Sequence, residues 1–230
     1  MKNIHIIAQE FTSSGNCGAL ARVLKNFDCK NLIFLNPKCD YQSKEAMDRA
    51  THAKDILKKA KVMKDFDKVL DSFDYVIGTT AMVGTDYNIP RSSINPEKLG
   101  KLIKKKKVGI IIGREGEGLS NKEIKKCDFT VSVPTSIKYP TMNVSHAAAI
   151  ILYEIFKANE NKSITDNIPS MTGKEKKALL SLIDDAIGRM GFPDEFRERT
   201  QRIVWKRVIG KSLLTKREAF ALCGFFKRIK

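Results

Sequence analysis

At 230 residues the chain has room for one domain of ordinary size with a small appendage, and a hydrophobic content of 42% is enough to build a packed core. Lys and Arg number 42 against 26 Asp and Glu, a formal net charge of +16 that suits a polyanionic partner or an anionic surface. No apolar run approaches the roughly 18–20 residues that a bilayer span requires, and the N-terminus turns polar too soon for a signal peptide.

The five cysteines, Cys17, Cys29, Cys39, Cys127 and Cys223, form no C-x-x-C pair and read as reduced thiols of a cytoplasmic protein. Three scattered histidines leave no metal site in view.

Asn3 to Ala8 is a short β-branched run, the first expected strand. After a polar loop from Gln9 to Ser14, the spacing of Leu20, Val23, Leu24 and Phe27 predicts a helix with one core-facing stripe. Its other face carries Gly15, Gly18, Arg22 and Lys25. Such a face either lets a backbone phosphate come close, with Arg22 as a bidentate partner, or is simply solvated. Asn31 to Asn36 reads as the second strand, and Ser43 to about Lys61 as one long amphipathic helix. Phe66 to Leu70 reads as a helical turn and Asp74 to Thr80 as the third strand. Ligands of open α/β sheets gather at the carboxyl ends of strands, which makes Thr79, Thr80 and Ala81 candidates by position.

From Ala81 to Lys107 the pattern is irregular, with Pro90, Arg91, Ser92, Ser93 and Pro96, and it ends in the basic run Lys101 to Lys107. Val108 to Ile112 is fully apolar, as expected of a central parallel strand. It leads into the glycine-rich stretch Gly113 to Gly118, and Ser120 with Glu123 matches a capping box that should start a short helix. Asp128 to Val133 is the last expected strand. Beyond it a polar loop closes with Tyr139-Pro140, and a helix of small residues follows, including Ala147, Ala148 and Ala149. Thr141 and Asn143 sit where that helix begins, a position that serves equally as a cap or as a place to hold a ligand.

Alternating strands and helices imply an α/β domain with a mostly parallel sheet over residues 1–158. Residues 159–171 read as a linker, and 172–230 as a small all-α domain. Residues 171–230 hold 15 Lys and Arg against 7 Asp and Glu, a net +8, with Trp205 flanked by Arg202, Lys206 and Arg207. This appendage either faces RNA or a second subunit, or packs on the first domain.

The spacing G-R-E-G-E-G is neither a dinucleotide fingerprint nor a P-loop, and no nucleophile elbow is present. Three motifs in order are informative instead: Asn16-x-G-A-x-A-R ending at Arg22, I-x-G-R-E-G-E-G-L-S-N-K-E from Ile111, and V-P-T-S-I-K-Y-P-T-M-N-V-S-H from Val133. Together they resemble the motifs of SPOUT-class RNA 2′-O-methyltransferases of the TrmH (SpoU) group, with the closest similarity to TrmJ-type tRNA enzymes. The resemblance covers roughly residues 1–158, and a helical C-terminal extension is also typical of that type.

The resemblance implies a parallel sheet with a C-terminal deep trefoil knot, an exception to the rule that chains do not knot. It further implies a homodimer with an S-adenosylmethionine pocket at the interface. Carried over by motif, the cofactor would lie against Thr79, Thr80, Ala81, Gly113, Gly118, Val133, Pro140, Thr141 and Met142. Arg22, Thr141, Asn143 and Glu115 would serve catalysis, with Arg22 holding the target phosphate and helping to activate the ribose hydroxyl. Asn16, Arg22, Lys25 and Arg114 would meet the RNA. Threonine stands at 141 where such enzymes often carry serine; it keeps the hydroxyl, adds a methyl and restricts χ1. The expected activity is methylation of a tRNA ribose, in the anticodon loop by resemblance. A ribosomal-RNA substrate and an idle RNA-binding platform are the alternatives.

Overall fold

Two apolar, β-branched runs form the middle of a sheet. β1 (Ile4–Gln9) and β5 (Val108–Ile112) are buried along nearly their whole length and pair in parallel from Ile4↔Val108 to Ala8↔Ile112. Strands covered on both faces read as near-continuous apolar runs, as β5 does and as β1 does apart from His5 and Gln9. β2 (Asn31–Leu35) lies on the far side of β1, with β3 (Lys61–Met63) at its edge. β4 (Tyr75–Thr79) pairs with β5, and β6 (Phe129–Val131) with β4. The result is a six-stranded parallel sheet of order β3-β2-β1-β5-β4-β6. The computed structural model describes residues 1–81, 92–103, 106–159 and 169–229.

Among the described residues, seven α-helices accompany this sheet: α1 (Ser14–Asn26), α2 (Lys44–Ala50), α3 (Lys54–Lys59), α4 (Phe66–Asp71), α5 (Pro96–Leu102), α6 (Asn121–Lys126) and α7 (Val144–Asn159). α1 packs on α2, α3 and α7, and α5 packs on α7. The capping box expected at Ser120 and Glu123 starts α6.

Three expectations are corrected. The long helix from Ser43 to Lys61 is divided, because Thr51 adopts φ +49° and ends α2; a 3-10 turn over Thr51–Ala53 then leads into α3. The break allows Ala46 and Ala50 on one segment and Ile56 and Leu57 on the other all to be buried. The short edge strand β3 was not anticipated. The irregular stretch from Ala81 to Lys107 contains α5, capped by the Asn95 side chain on the Lys98 N–H, with Pro96 in its first turn and Leu99 buried. Pro90, Arg91, Lys104 and Lys105 lie outside the described residues.

The chain divides into two compact units, Met1–Glu160 and Asn161–Lys230. In the second, α8 (Gly173–Arg189), α9 (Glu195–Ser212) and α10 (Lys216–Phe226) enclose Leu179, Ile183, Ile187, Ile209, Ala219 and Phe226. Capping boxes at Thr172 with Glu175 and Thr215 with Glu218 start α8 and α10. Trp205 packs edge-on to Phe226, with ring centroids 5.2 Å apart, so its ring helps to build this core. No helix among the described residues is long and apolar enough to cross a membrane.

Candidate active site

β4, β5 and β6 end side by side, at Gly78↔Ile111 and Thr79↔Val131. The loops that leave their carboxyl ends surround a cleft of about 220 Å³. Thr79, Thr80 and Ala81 line it from β4, Gly113 and Gly118 from β5, and Val133, Pro140, Thr141 and Met142 from beyond β6. The structure thus brings all nine expected cofactor positions to one place. Sequence reasoning missed much of the apolar wall, namely Ile112, Leu119, Val131, Val144, Ala147 and Ile151. Val144, Ala147 and Ile151 share one face of α7 at i, i+3 and i+7, a pattern that reads equally as core.

The loop after β5 is held closed by its own chemistry. Arg114 and Gly118 exchange backbone hydrogen bonds of 3.3 and 3.0 Å. Gly118 takes φ +70°, which a side chain would oppose, and a Cβ on Gly113 would overlap the backbone of Gly118 and Leu119. The Arg114 guanidinium bonds Glu10 at 2.7 Å and grips both oxygens of Glu123 at 2.8 and 2.9 Å. Those partners raise the Arg114 pKa, the Glu123 bond most strongly among them. The Arg114 side chain, expected to meet RNA, is turned onto two carboxylates and shapes the loop.

The neighbouring Glu115 points to the start of α1. Its Oε2 accepts from the Thr12 N–H at 3.0 Å, and its Oε1 accepts from the Ser13 N–H and the Asn16 amide, both at 3.2 Å. Burial works to raise the Glu115 pKa, but these donors hold it below the usual carboxylate range. Asn16 in turn accepts at Oδ1 from the Asn143 amide at 3.1 Å. The Asn143 Oδ1 accepts from the N–H and the hydroxyl of Ser145, at 2.9 and 2.8 Å, so Asn143 also satisfies the start of α7. One residue from each of the three motifs therefore joins a single network beside Met142 and Thr141. The carboxylate in it is saturated with donors, which suits an anchor better than a proton acceptor.

Arg22 is exposed on α1 and lines a separate shallow surface with Lys44, Glu45, Asp48, Arg49 and Thr51. Lys25, expected to meet RNA, forms an ion pair with Asp55 at 2.7 Å. The notion that Gly15 and Gly18 open α1 to a phosphate is corrected. A Cβ on Gly18 would overlap the Ala46 carbonyl of α2, and one on Gly15 would meet the Glu45 carboxylate, so that face is packed against protein. Among the described residues no group of three His, Cys, Asp or Glu could hold a metal ion.

The model of the SpoU rRNA Methylase family matches residues 3–153. A relative from Methanocaldococcus jannaschii, described as a tRNA (cytidine-2′-O-)-methyltransferase TrmJ, is 38% identical over 217 residues, covering 93% of this chain and 94% of its own. A relative of the same description from Sulfolobus acidocaldarius is 32% identical over 229 residues, covering 98% of this chain and 93% of its own. The structure of a probable methylase family protein from Haemophilus influenzae superimposes with a TM-score of 0.69 at 27% identity, covering 99% of this chain and 96% of that one.

Proposed function

This chain belongs to the SpoU methylase family, and on that premise we propose that it transfers a methyl group from S-adenosylmethionine to a ribose 2′-hydroxyl of tRNA. The observation that carries the reading is the junction of the three motifs, with Asn16, Glu115 and Asn143 joined beside a cleft at the strand ends. The lining suits the cofactor. Leu119, Val133, Met142 and Ile151 offer apolar surface for a purine, and Glu117 at the rim sets a carboxylate near a ligand bearing a sulfonium and an ammonium.

S-adenosylmethionine supplies an electrophilic methyl group when bound. The protein's part is then to place a ribose oxygen in line and to stabilise the charge that develops as its proton leaves. Asn143 and Asn16 position the third-motif loop, and Glu115 anchors the start of α1 to the loop after β5. Arg22 holds the target phosphate and favours the developing alkoxide. Thr141 presents its hydroxyl at the cleft. Residues 1–158 carry the transfer, 159–171 connect, and 172–230 form a basic helical domain for RNA.

The same reading includes a deep trefoil knot, a homodimer that completes the pocket, an anticodon-loop target and a cytoplasmic setting. The bridge of Ile94 to Val131, with the Ser132 N–H on the Ile94 carbonyl at 3.0 Å, supports the knot by tying the chain before α5 to the strand that precedes the last loop. A tRNA substrate is favoured over ribosomal RNA because the tRNA-methylating relatives match nearly the whole chain, including its helical end.

The test is incubation of total RNA with S-adenosylmethionine labelled on the methyl group, followed by nuclease mapping. Label should appear in tRNA as a 2′-O-methylated nucleotide. Label confined to ribosomal RNA would favour the family's other substrate, and failure to bind the cofactor at all would leave an RNA-binding platform.

A further inference from the structure

Cys17 and Cys39 are separated by 22 residues of sequence, yet their sulfurs lie 3.6 Å apart. Cys17 is buried in the first turns of α1, next to Asn16, while Cys39 is partly exposed in the loop between β2 and α2. That loop is tied to the start of α1 on both sides of Cys39. The Lys38 N–H donates to the Phe11 carbonyl at 2.9 Å, and the Ser14 hydroxyl donates to the Asp40 carbonyl at 2.8 Å. Two other buried thiols are placed differently: Cys29 donates to the Ile4 carbonyl and Cys127 to the Glu123 carbonyl.

From this geometry we infer that Cys17 and Cys39 form an oxidative modification site, which a peroxide converts to an intramolecular disulfide. A disulfide requires the sulfurs to reach about 2.0 Å, so the loop has to carry Cys39 roughly 1.6 Å inward, within the range of a side-chain rotation and a small loop shift. The partly exposed Cys39 reacts first. The Cys39 thiol gives up its proton, its sulfur attacks a peroxide oxygen, the O–O bond breaks to leave a sulfenic acid, and the departing hydroxide takes the thiol proton as one water. The Cys17 sulfur then attacks the sulfenic sulfur, the S–O bond breaks, and the Cys17 proton leaves with the hydroxide as a second water. Two electrons pass from the two thiols to the peroxide. Burial and the adjacent Cys39 push the Cys17 thiol up, which fits the part of the resolving partner rather than the first nucleophile.

The bond would staple the turn that carries Asn16 to the loop before α2, closing about 22 residues of chain. Its formation does not depend on the enzymatic reading above, because it needs only the two sulfurs and an oxidant.

The experiment treats the full reduced chain with a small excess of hydrogen peroxide, then counts free thiols and maps peptides without reduction. The count should fall from five to three, a Cys17–Cys39 peptide two hydrogens lighter than its parts should appear, and dithiothreitol should restore all five. The oxidised chain should melt several degrees higher, and amide exchange should slow over residues 13–18. Cys39→Ser should abolish the cross-link while its reduced melting temperature stays near that of the parent. A sulfinic acid on Cys39, a disulfide between two chains, or five unchanged thiols would each overturn the assignment.

Discussion

The Asn143 side-chain amide donates to Asn16 Oδ1 at 3.1 Å, across 127 residues of sequence. The contact joins the start of α7 to the start of α1, two helices that also pack along their length. Because Asn16 passes its own amide to Glu115, the loop after β5 is drawn into the same arrangement. Two helix starts and a glycine-rich loop are thereby fixed relative to one another by three side chains.

The first prediction concerns that contact. Asn16→Ala and Asn143→Ala should each destabilise the chain, by about 1 kcal/mol for the lost bond and up to about 1 kcal/mol more for Asn143, whose Oδ1 also serves the N-terminus of α7. The double variant should fall short of the sum by about 0.5–1 kcal/mol, the coupling expected of side chains in contact. Denaturant unfolding of the four chains measures this; strict additivity would mean that the two amides do not interact.

Glu115 gives a pH dependence with a definite sign. Its folded pKa lies below the ordinary glutamate value of 4.5 because the Thr12, Ser13 and Asn16 donors outweigh burial. A depressed carboxylate contributes stability that is complete above the unfolded value and is lost as the pH falls through the folded one. Unfolding free energy should therefore drop more steeply below pH 4.5 in the parent than in Glu115→Gln. Glu123 is depressed in the same way and remains in both chains, so the difference between the two curves isolates Glu115. At neutral pH the variant should be about 1 kcal/mol less stable, allowing for its partial exposure.

How far the sequence anticipates this arrangement varies with the range over which each feature is set. β5 is apolar from end to end, β1 is apolar but for His5 and Gln9, and Ser120 lies three residues from Glu123, so the central strands and the start of α6 follow from local pattern. The division at Thr51 does not. A threonine at φ +49° carries no propensity signal, and the apolar spacing on both sides continues one helical phase. β3 is a three-residue edge strand with both Lys61 and Val62 exposed, so it shows no alternation to read. Arg114 looks like a free cation beside glycines until Glu10 and Glu123 are brought to it, one of them from 104 residues away. Gly18 looks like open space until α2 fills it. Position at strand ends marks the cleft lining well, because a parallel sheet delivers its loops to one edge.

Gly113→Ala tests whether the cleft depends on the tight turn after β5. The added methyl has no room against the backbone of Gly118 and Leu119, so the loop must open. Stability should fall by about 1–3 kcal/mol, as for other overpacked sites. Calorimetric affinity for S-adenosylmethionine should fall at least tenfold, because Gly113, Gly118 and Leu119 all belong to the wall. Unchanged affinity would place the cofactor elsewhere.

Arg22→Ala separates binding of the cofactor from transfer. Arg22 is exposed and shares no wall with the cleft at the strand ends. It lies six residues beyond Asn16 on α1, about 9 Å along the helix axis, which suits a group that meets the RNA rather than the cofactor. The variant should fold with the parent's stability and bind S-adenosylmethionine with the same affinity. Its single-turnover methylation rate should fall at least a hundredfold, the outcome expected of the proposed role in holding the target phosphate, since a misplaced ribose oxygen slows transfer steeply. Arg22→Lys should recover only part of the rate, since an ammonium keeps the charge and loses the bidentate geometry. Calorimetry and a rapid-quench assay with labelled cofactor supply both readings. A variant with weakened cofactor binding and an intact rate at saturation would assign Arg22 to the pocket instead.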